Sequence, residues 1–183
     1  MDDIVKQAIA KWPNVPIAYG WLGLDQRGQW WLRNSATQAL GGFASGVPNA
    51  KGSLIEHAKL IAFIERNYES DADGQWFFQN GPQRAYVELE AAPLVWRIEA
   101  DRSIVSHHGQ PTQPTACVVD EAGKLYLNSD IGFGIVHSLF VAQAADIIEA
   151  GTWTPEDAEA QSLPTRFGFV LSPAERQARL LSK

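Results

Sequence analysis

Ser70-Asp71-Ala72-Asp73-Gly74-Gln75-Trp76-Phe77-Phe78-Gln79-Asn80-Gly81-Pro82-Gln83-Arg84-Ala85-Tyr86-Val87-Glu88-Leu89-Glu90 reads as turn, strand, turn, strand. Its opening recurs at Asp25-Gln26-Arg27-Gly28-Gln29-Trp30-Trp31-Leu32 and at Asp120-Glu121-Ala122-Gly123-Lys124-Leu125-Tyr126-Leu127. The shared form is Asp-x-x-Gly-x followed by large apolar residues. Asp at the first turn position accepts from backbone N–H groups just ahead of it, and Gly takes the positive φ that closes a type I turn with a bulge. Each copy is therefore expected to launch a strand. Trp30 and Leu32 then oppose Trp31, Trp76 and Phe78 oppose Phe77, and Leu125 and Leu127 oppose Tyr126. Both faces are apolar, so Trp31, Phe77 and Tyr126 should lie beneath helices or loops, or else form an exposed aromatic surface.

The spacing of the copies suits propeller blades. A helical stretch separates the first two copies, however, and short strands separate the last two, so the recurrence reads as shared turn chemistry rather than repeated domains. Upstream, Asp2 or Asp3 caps a helix with Ile4, Val5, Ala8, Ile9 and Trp12 at helical spacing, ended by Pro13 and Pro16. Residues 17–24 and 29–33 form the first hairpin. Residues 34–52 are rich in Gly, Ser, Ala and Asn and read as a long loop of the kind that makes lids and binding segments. The chain reads as a single domain over 1–183, with 34–52 as the boundary if it divides into two subdomains.

Ser53 and Glu56 form a capping box ahead of a long, buried helix through Ile64. After the central stretch come short strands at 94–98 and 103–107, a loop at 109–114 and a hairpin of 115–119 with 124–128. Residues 129–134 lead into a second long helix carrying Ile135, Val136, Leu139, Phe140, Ala144, Ile147 and Ile148. Thr154-Pro155-Glu156-Asp157 starts a short helix, 166–171 reads as a strand, and Ser172-Pro173-Ala174-Glu175 caps a last helix. Strands in adjacent groups with helices between the groups predict an α+β fold. The expected sheet is mainly antiparallel, built from Asp-x-x-Gly hairpins and packed with two long apolar helices and shorter terminal ones.

At 183 residues, 45% hydrophobic and 20% charged with seven Trp, the chain can bury a real core. A net charge of −6 repels phosphate backbones and anionic lipid, so neither nucleic acid nor membrane is expected as a partner. One cysteine precludes an internal disulfide and points to a reducing compartment. Met1-Asp2-Asp3 is acidic where a signal peptide carries positive charge, so a cytoplasmic location is expected. Residues 131–148 are interrupted by His137, Ser138, Gln143 and Asp146 and do not read as a membrane span.

Several residues could carry chemistry. Glu69, Asp71 and Asp73 place carboxylates on alternate positions before Gly74, like the first half of a calcium loop, although the turn reading covers all three copies and calcium only one. Gly132 and Gly134, between a strand and the second helix, either hold an anion at the helix start or simply allow a tight turn. His107, His108, Asp120 and His137 could meet at a metal only if the chain bends at the histidine pair. His57 and His137, within apolar helices, read as core histidines with bonded rings. Cys117 reads as a small buried residue or, less simply, a nucleophile. Glu88 and Glu90 read as a solvated sheet face. Arg84 faces an anion or pairs with a neighbouring acid.

Residues 76–84, Trp76-Phe77-Phe78-Gln79-Asn80-Gly81-Pro82-Gln83-Arg84, resemble bacterial families known only as conserved proteins of unknown function. No complete catalytic constellation, cofactor motif or metal motif is present, while aromatics and long loops are. The expected function is non-catalytic binding of a small molecule or a protein partner, using Trp31, Phe77, Tyr126, Arg84, Gly132, Gly134, His107 and His137. The alternatives are a hydrolase or transferase with a site at His107, His108 and His137, and a structural homodimer.

Overall fold

The corners set the path of the chain. In the computed structural model, which describes residues 1–182, the Asp25 carboxylate accepts from the N–H of Gln29 at 2.9 Å, Asp71 from that of Gln75 at 2.9 Å and Asp120 from that of Lys124 at 2.8 Å. Gly28, Gly74 and Gly123 take φ of 76°, 74° and 74°, a region that strains an L side chain. The same backbone corner returns at Glu99-Ala100-Asp101-Arg102-Ser103, where Arg102 stands at φ 67°. It returns again at Ser106-His107-His108-Gly109-Gln110, where the Ser106 hydroxyl accepts from the N–H of Gln110 at 3.0 Å.

In chain order the first elements are α1 (Asp3–Lys11), β1 (Ala18–Leu24), β2 (Trp30–Leu32), α2 (Ser35–Leu40), β3 (Ser53–Leu54), α3 (Ala58–Arg66), β4 (Tyr68–Ser70), β5 (Trp76–Asn80) and β6 (Gln83–Leu89). There follow β7 (Leu94–Ile98), β8 (Ile104–Ser106), β9 (Pro111–Thr112), β10 (Pro114–Asp120), β11 (Leu125–Ser129), β12 (Gly132–Val136), α4 (Val141–Glu149), β13 (Pro155–Ala158), α5 (Leu163–Phe167) and α6 (Pro173–Leu181). Among the described residues six α-helices and two mixed sheets make an α+β fold.

The chain divides into two units: residues 1–25, 29–90 and from Phe169 onward form the first, and residues 26–28 and 91–168 the second. Residues 34–52 lie wholly inside the first unit. Its sheet runs β3-β2-β1-β6-β5-β4, with β1 and β6 parallel, over a core that includes Leu22, Leu24, Trp30, Val87 and Leu89. The second unit's sheet runs β13-β10-β11-β12-β7-β8-β9, with β12 parallel to β7 and β13 parallel to β10. Leu94, Trp96, Val118 and Leu127 are fully buried in it. Each sheet centres on a parallel pair, β1 with β6 or β7 with β12, and the corners at Asp71 and Asp120 occupy the same place in the strand order. The recurrence read as turn chemistry alone thus extends to strand topology.

Several local expectations are corrected, some by strand pairings that local pattern does not encode and some by local caps. Neither expected long helix forms, since α3 and α4 span nine residues each. Ser53 and Leu54 pair with the open edge of β2 instead of capping a helix, and α3 begins after His57, whose ring accepts from the N–H of Leu60 at 3.3 Å. Only Ile64 of α3 is buried. Residues 132–136 are strand, paired with both β11 and β7, because β-branched Ile135 and Val136 complete the sheet. His137 then caps a 3₁₀ turn at Ser138–Phe140 ahead of α4. Within 34–52, Asn34 caps the short α2 by accepting from the N–H of Thr37. Residues 155–158 join the sheet beside β10, and α5 replaces the start of the strand expected at 166–171, ended by Gly168 at φ 68°. No helix among the described residues is long and apolar enough to cross a membrane.

Candidate functional site

The corner acids have two oxygens, and each second oxygen takes an aromatic donor. The Trp31 indole N–H donates to Asp25 Oδ2 at 2.9 Å, and the Tyr126 hydroxyl to Asp120 Oδ2 at 3.0 Å. Phe77 holds the equivalent place but has no polar atom, so Tyr86, its register partner on β6, donates to Asp71 Oδ2 at 2.7 Å instead. Phe77 and Tyr126 are buried. Tyr126 stacks on Phe133 at 5.4 Å, and burial, with Asp120 beside it, pushes its hydroxyl pKa up. Burial works to raise Asp71, but the bonds from Tyr86, Gln75 and Asp73 outweigh it and hold the carboxyl below its ordinary range. Glu69, Asp71 and Asp73 diverge: Glu69 reaches the Met1 amino group at 3.1 Å and Asp73 pairs with Arg176 at 3.3 Å.

In the second unit His107 is half-buried, and its Nδ1 accepts from the N–H of Val95 at 3.2 Å. Desolvation, with His108 and Arg97 adding to it, holds His107 well below the usual histidine range. His108 lies edge-on to it at 5.0 Å. Among the described residues no group of three or more His, Cys, Asp or Glu side chains could hold a metal ion, so His107, His108, Asp120 and His137 do not form a ligand set. Gly132 and Gly134 lie in β12 and not at a helix start, which removes the N-terminal amides that would hold an anion there. Gly134 is flush against a neighbour, since a Cβ on it would stand 2.5 Å from Trp96 Nε1. Burial pushes the Cys117 thiol up to about 11, which keeps it protonated at neutral pH.

The first unit holds an apolar groove of about 570 Å³ between α3 and the sheet. Leu22, Phe78 and Ala85 line it from the strands, Leu60 and Ile64 from α3, and Ile17, Trp21 and Leu32 also contribute. Strands β1 and β6 lose register between Ala18 and Leu22, where Gly20 takes φ 75°. A bulge of this kind re-aims side chains, and here Trp21 is 45% exposed between buried neighbours. Leu32 at 55% and Leu60 at 42% add to the open apolar surface. Asn80 and Gln83 are the polar lining residues, and among the described residues no charged side chain lines the groove. None of the eight sequence candidates lines it either.

A smaller cleft of about 330 Å³ lies beside the Gly-rich loop, lined in part by Trp31, Phe43, Lys51 and Glu90. Lys51 pairs with Glu90 at 2.7 Å. The loop is organised by Arg33, a residue the sequence reading passed over. Buried at the end of β2, its guanidinium donates to the carbonyls of Ala50 at 2.8 Å, Gly41 at 2.5 Å and Gly20 at 3.4 Å. An arginine directly before a glycine-rich loop, whose carbonyls lack ladder partners, was the available signal.

Glu88 is not on a solvated face. It is 2% exposed, and its carboxylate accepts from the Ser172 hydroxyl at 2.5 Å and the Ala174 N–H at 3.0 Å, at the start of α6. Desolvation raises its pKa above the ordinary 4.5, against these two bonds and the charge of Arg33. The folded state therefore binds the proton more tightly than the unfolded chain, and stability falls as pH rises from 4.5 through the folded pKa. Relative to Glu88→Gln, the wild type should lose stability across that interval, measured by urea unfolding at a series of pH values. A difference independent of pH would show that Glu88 does not titrate this way.

Residues 1–174 match the model of the family DUF2944, described as "Protein of unknown function (DUF2946)". The chain belongs to this family. No curated protein matches it. Among solved structures, this member of DUF2944 is similar to a DUF1285 family protein from Silicibacter pomeroyi DSS-3, at 11% identity and a TM-score of 0.48, with 76% of this chain and 75% of that one covered. It is also similar to a DUF1285 family protein from Shewanella baltica OS155, at 13% identity and a TM-score of 0.45, covering 69% of this chain and 91% of that one.

Proposed function

We propose that the chain is a binding module whose site is the apolar groove of the first unit, with the Asp-x-x-Gly corners serving as scaffold. The observation that carries this reading is the groove itself: about 570 Å³, open, lined by apolar side chains, with two uncharged amides as its polar groups. Ligand clefts of roughly 300–1,000 Å³ with apolar walls and few polar groups are the common form of small-molecule sites. A carboxylate or ammonium would lose its hydration there without gaining a counter-charge. The ligand class is therefore a neutral apolar molecule, an alkyl chain or flat ring system with one uncharged polar end directed to Asn80 or Gln83.

A neutral solvatochromic dye such as Nile red should bind with a blue-shifted emission, and 1-dodecanol should displace it where dodecanoate at neutral pH does so far more weakly. Leu60→Glu puts a charge on an already exposed position of α3, so the protein should keep its unfolding midpoint. Dye affinity should fall by about tenfold or more, the value of one well-buried leucine contact. Equal dye binding by Leu60→Glu and wild type sinks the reading.

A further inference from the structure

The other face of the same sheet carries a second, unrelated arrangement. Side chains alternate along a strand, so while Phe78 and Ala85 line the groove, Phe77, Gln79, Arg84 and Tyr86 point away from it. Arg84 sits over the Phe77 ring, its guanidinium carbon 3.8 Å from the ring centroid, and its Nε is 3.5 Å from Gln79 Oε1. Tyr19 from β1 stacks on Tyr86 at 4.9 Å and 14°. From α6, Arg176 is anchored by the Asp73 carbonyl at 3.1 Å and the Asp73 carboxylate at 3.3 Å. Among the described residues Arg84 makes no ion pair with a carboxylate. The salt-bridge role open to it from sequence is thus not taken.

We propose that Arg84, Arg176 and the Tyr19 hydroxyl form a site for an oxyanion, a carboxylate or a phosphate group. The planar guanidinium of Arg84 is held on an aromatic face, which fixes its fork of donors before any ligand arrives. The Tyr19 hydroxyl stands in the field of both arginines: desolvation and Asp71 raise its pKa while Arg84 and Arg176 lower it. Asp73 already shares Arg176 through its ion pair, and the other acid beside the site is Asp71. Its oxygens are already committed to the Tyr86 hydroxyl, the N–H groups of Asp73 and Gln75 and the Gln75 amide. The donors come from β1, β6 and α6, so an anion bound among them would tie α6 to the sheet. This site does not rest on the apolar groove.

The test is an NMR titration of the full chain with inorganic phosphate and, separately, with acetate, at constant ionic strength against chloride. Saturable shifts are expected at the amides of β6 and the first turns of α6. The tighter of the two anions identifies the ligand's acidic group. Arg84→Gln should weaken binding by about tenfold or more, because a charge-assisted bidentate contact is lost. Arg84→Lys should recover part of that loss, and Tyr19→Phe, which removes only a hydroxyl, should weaken binding by a smaller factor with an unchanged unfolding midpoint. Absence of saturable shifts with either anion overturns the proposal, as does undiminished binding by Arg84→Gln and Tyr19→Phe.

Discussion

Arg33→Met should destabilise the first unit by about 3–5 kcal/mol, the scale for removing one member of a buried, charged hydrogen-bond system. The substitution conserves an unbranched apolar stem but leaves the carbonyls of Gly20, Gly41 and Ala50 without their shared donor. Each buried, unmet carbonyl costs on the order of 1–3 kcal/mol. It also strips Glu88 of a charge that favours its ionised form. Urea unfolding gives the total, and hydrogen exchange shows where it falls: amides in 41–52 should lose protection first. Arg33→Lys should recover only part, since an ammonium is a point charge and cannot span carbonyls from separate segments. A loss below about 1 kcal/mol for the methionine variant would mean that the loop holds itself.

Gly134→Ala adds a single methyl group and should nonetheless cost about 3 kcal/mol, the upper range for overpacking a filled interior. The new carbon would stand 2.5 Å from Trp96 Nε1 and 2.7 Å from the Leu94 carbonyl. Neither can retreat. Trp96 is fully buried and donates its indole N–H to the Leu127 carbonyl at 3.0 Å, while Leu94 is the register partner of Gly134 across the parallel β12–β7 pair. The loss should appear as a lower unfolding midpoint. An unchanged midpoint would mean that β12 can shift away from β7 to admit the methyl group.

The α+β character was legible in the sequence because turn chemistry is local: an acid and a glycine three residues apart bring both halves of the corner within one short stretch. The cap at Ser172 was legible for the same reason, its hydroxyl accepting from the N–H of Glu175. What escaped was non-local. Residues 132–136 fit helical spacing with the apolar residues that follow them, and pairing with β11 on one side and with β7, forty residues upstream, on the other makes them strand. Ser53 and Glu56 carry every mark of a capping box, yet the unpaired edge of β2 claims Ser53 first. Glu88 meets partners 84 and 86 residues away. The groove draws on β1, β2, α3, β5 and β6, and none of those segments signals a cavity by itself. Of the expected ligand residues, Trp31 and Tyr126 turned out to spend their polar atoms on the corner acids.

The first unit is assembled from distant parts of the chain: Leu89 on β6 donates its N–H to Leu171, and α6 then begins on Glu88. A ribosome delivers β6 well before it delivers Leu171, with residues 91–168 of the second unit made in between. Until then the nascent first sheet carries an unclosed seam, and the carboxylate of Glu88 waits in the open without the donors that later enclose it. Synthesis order therefore makes the second unit the first able to reach its finished form, and α6 the latch that completes the first unit.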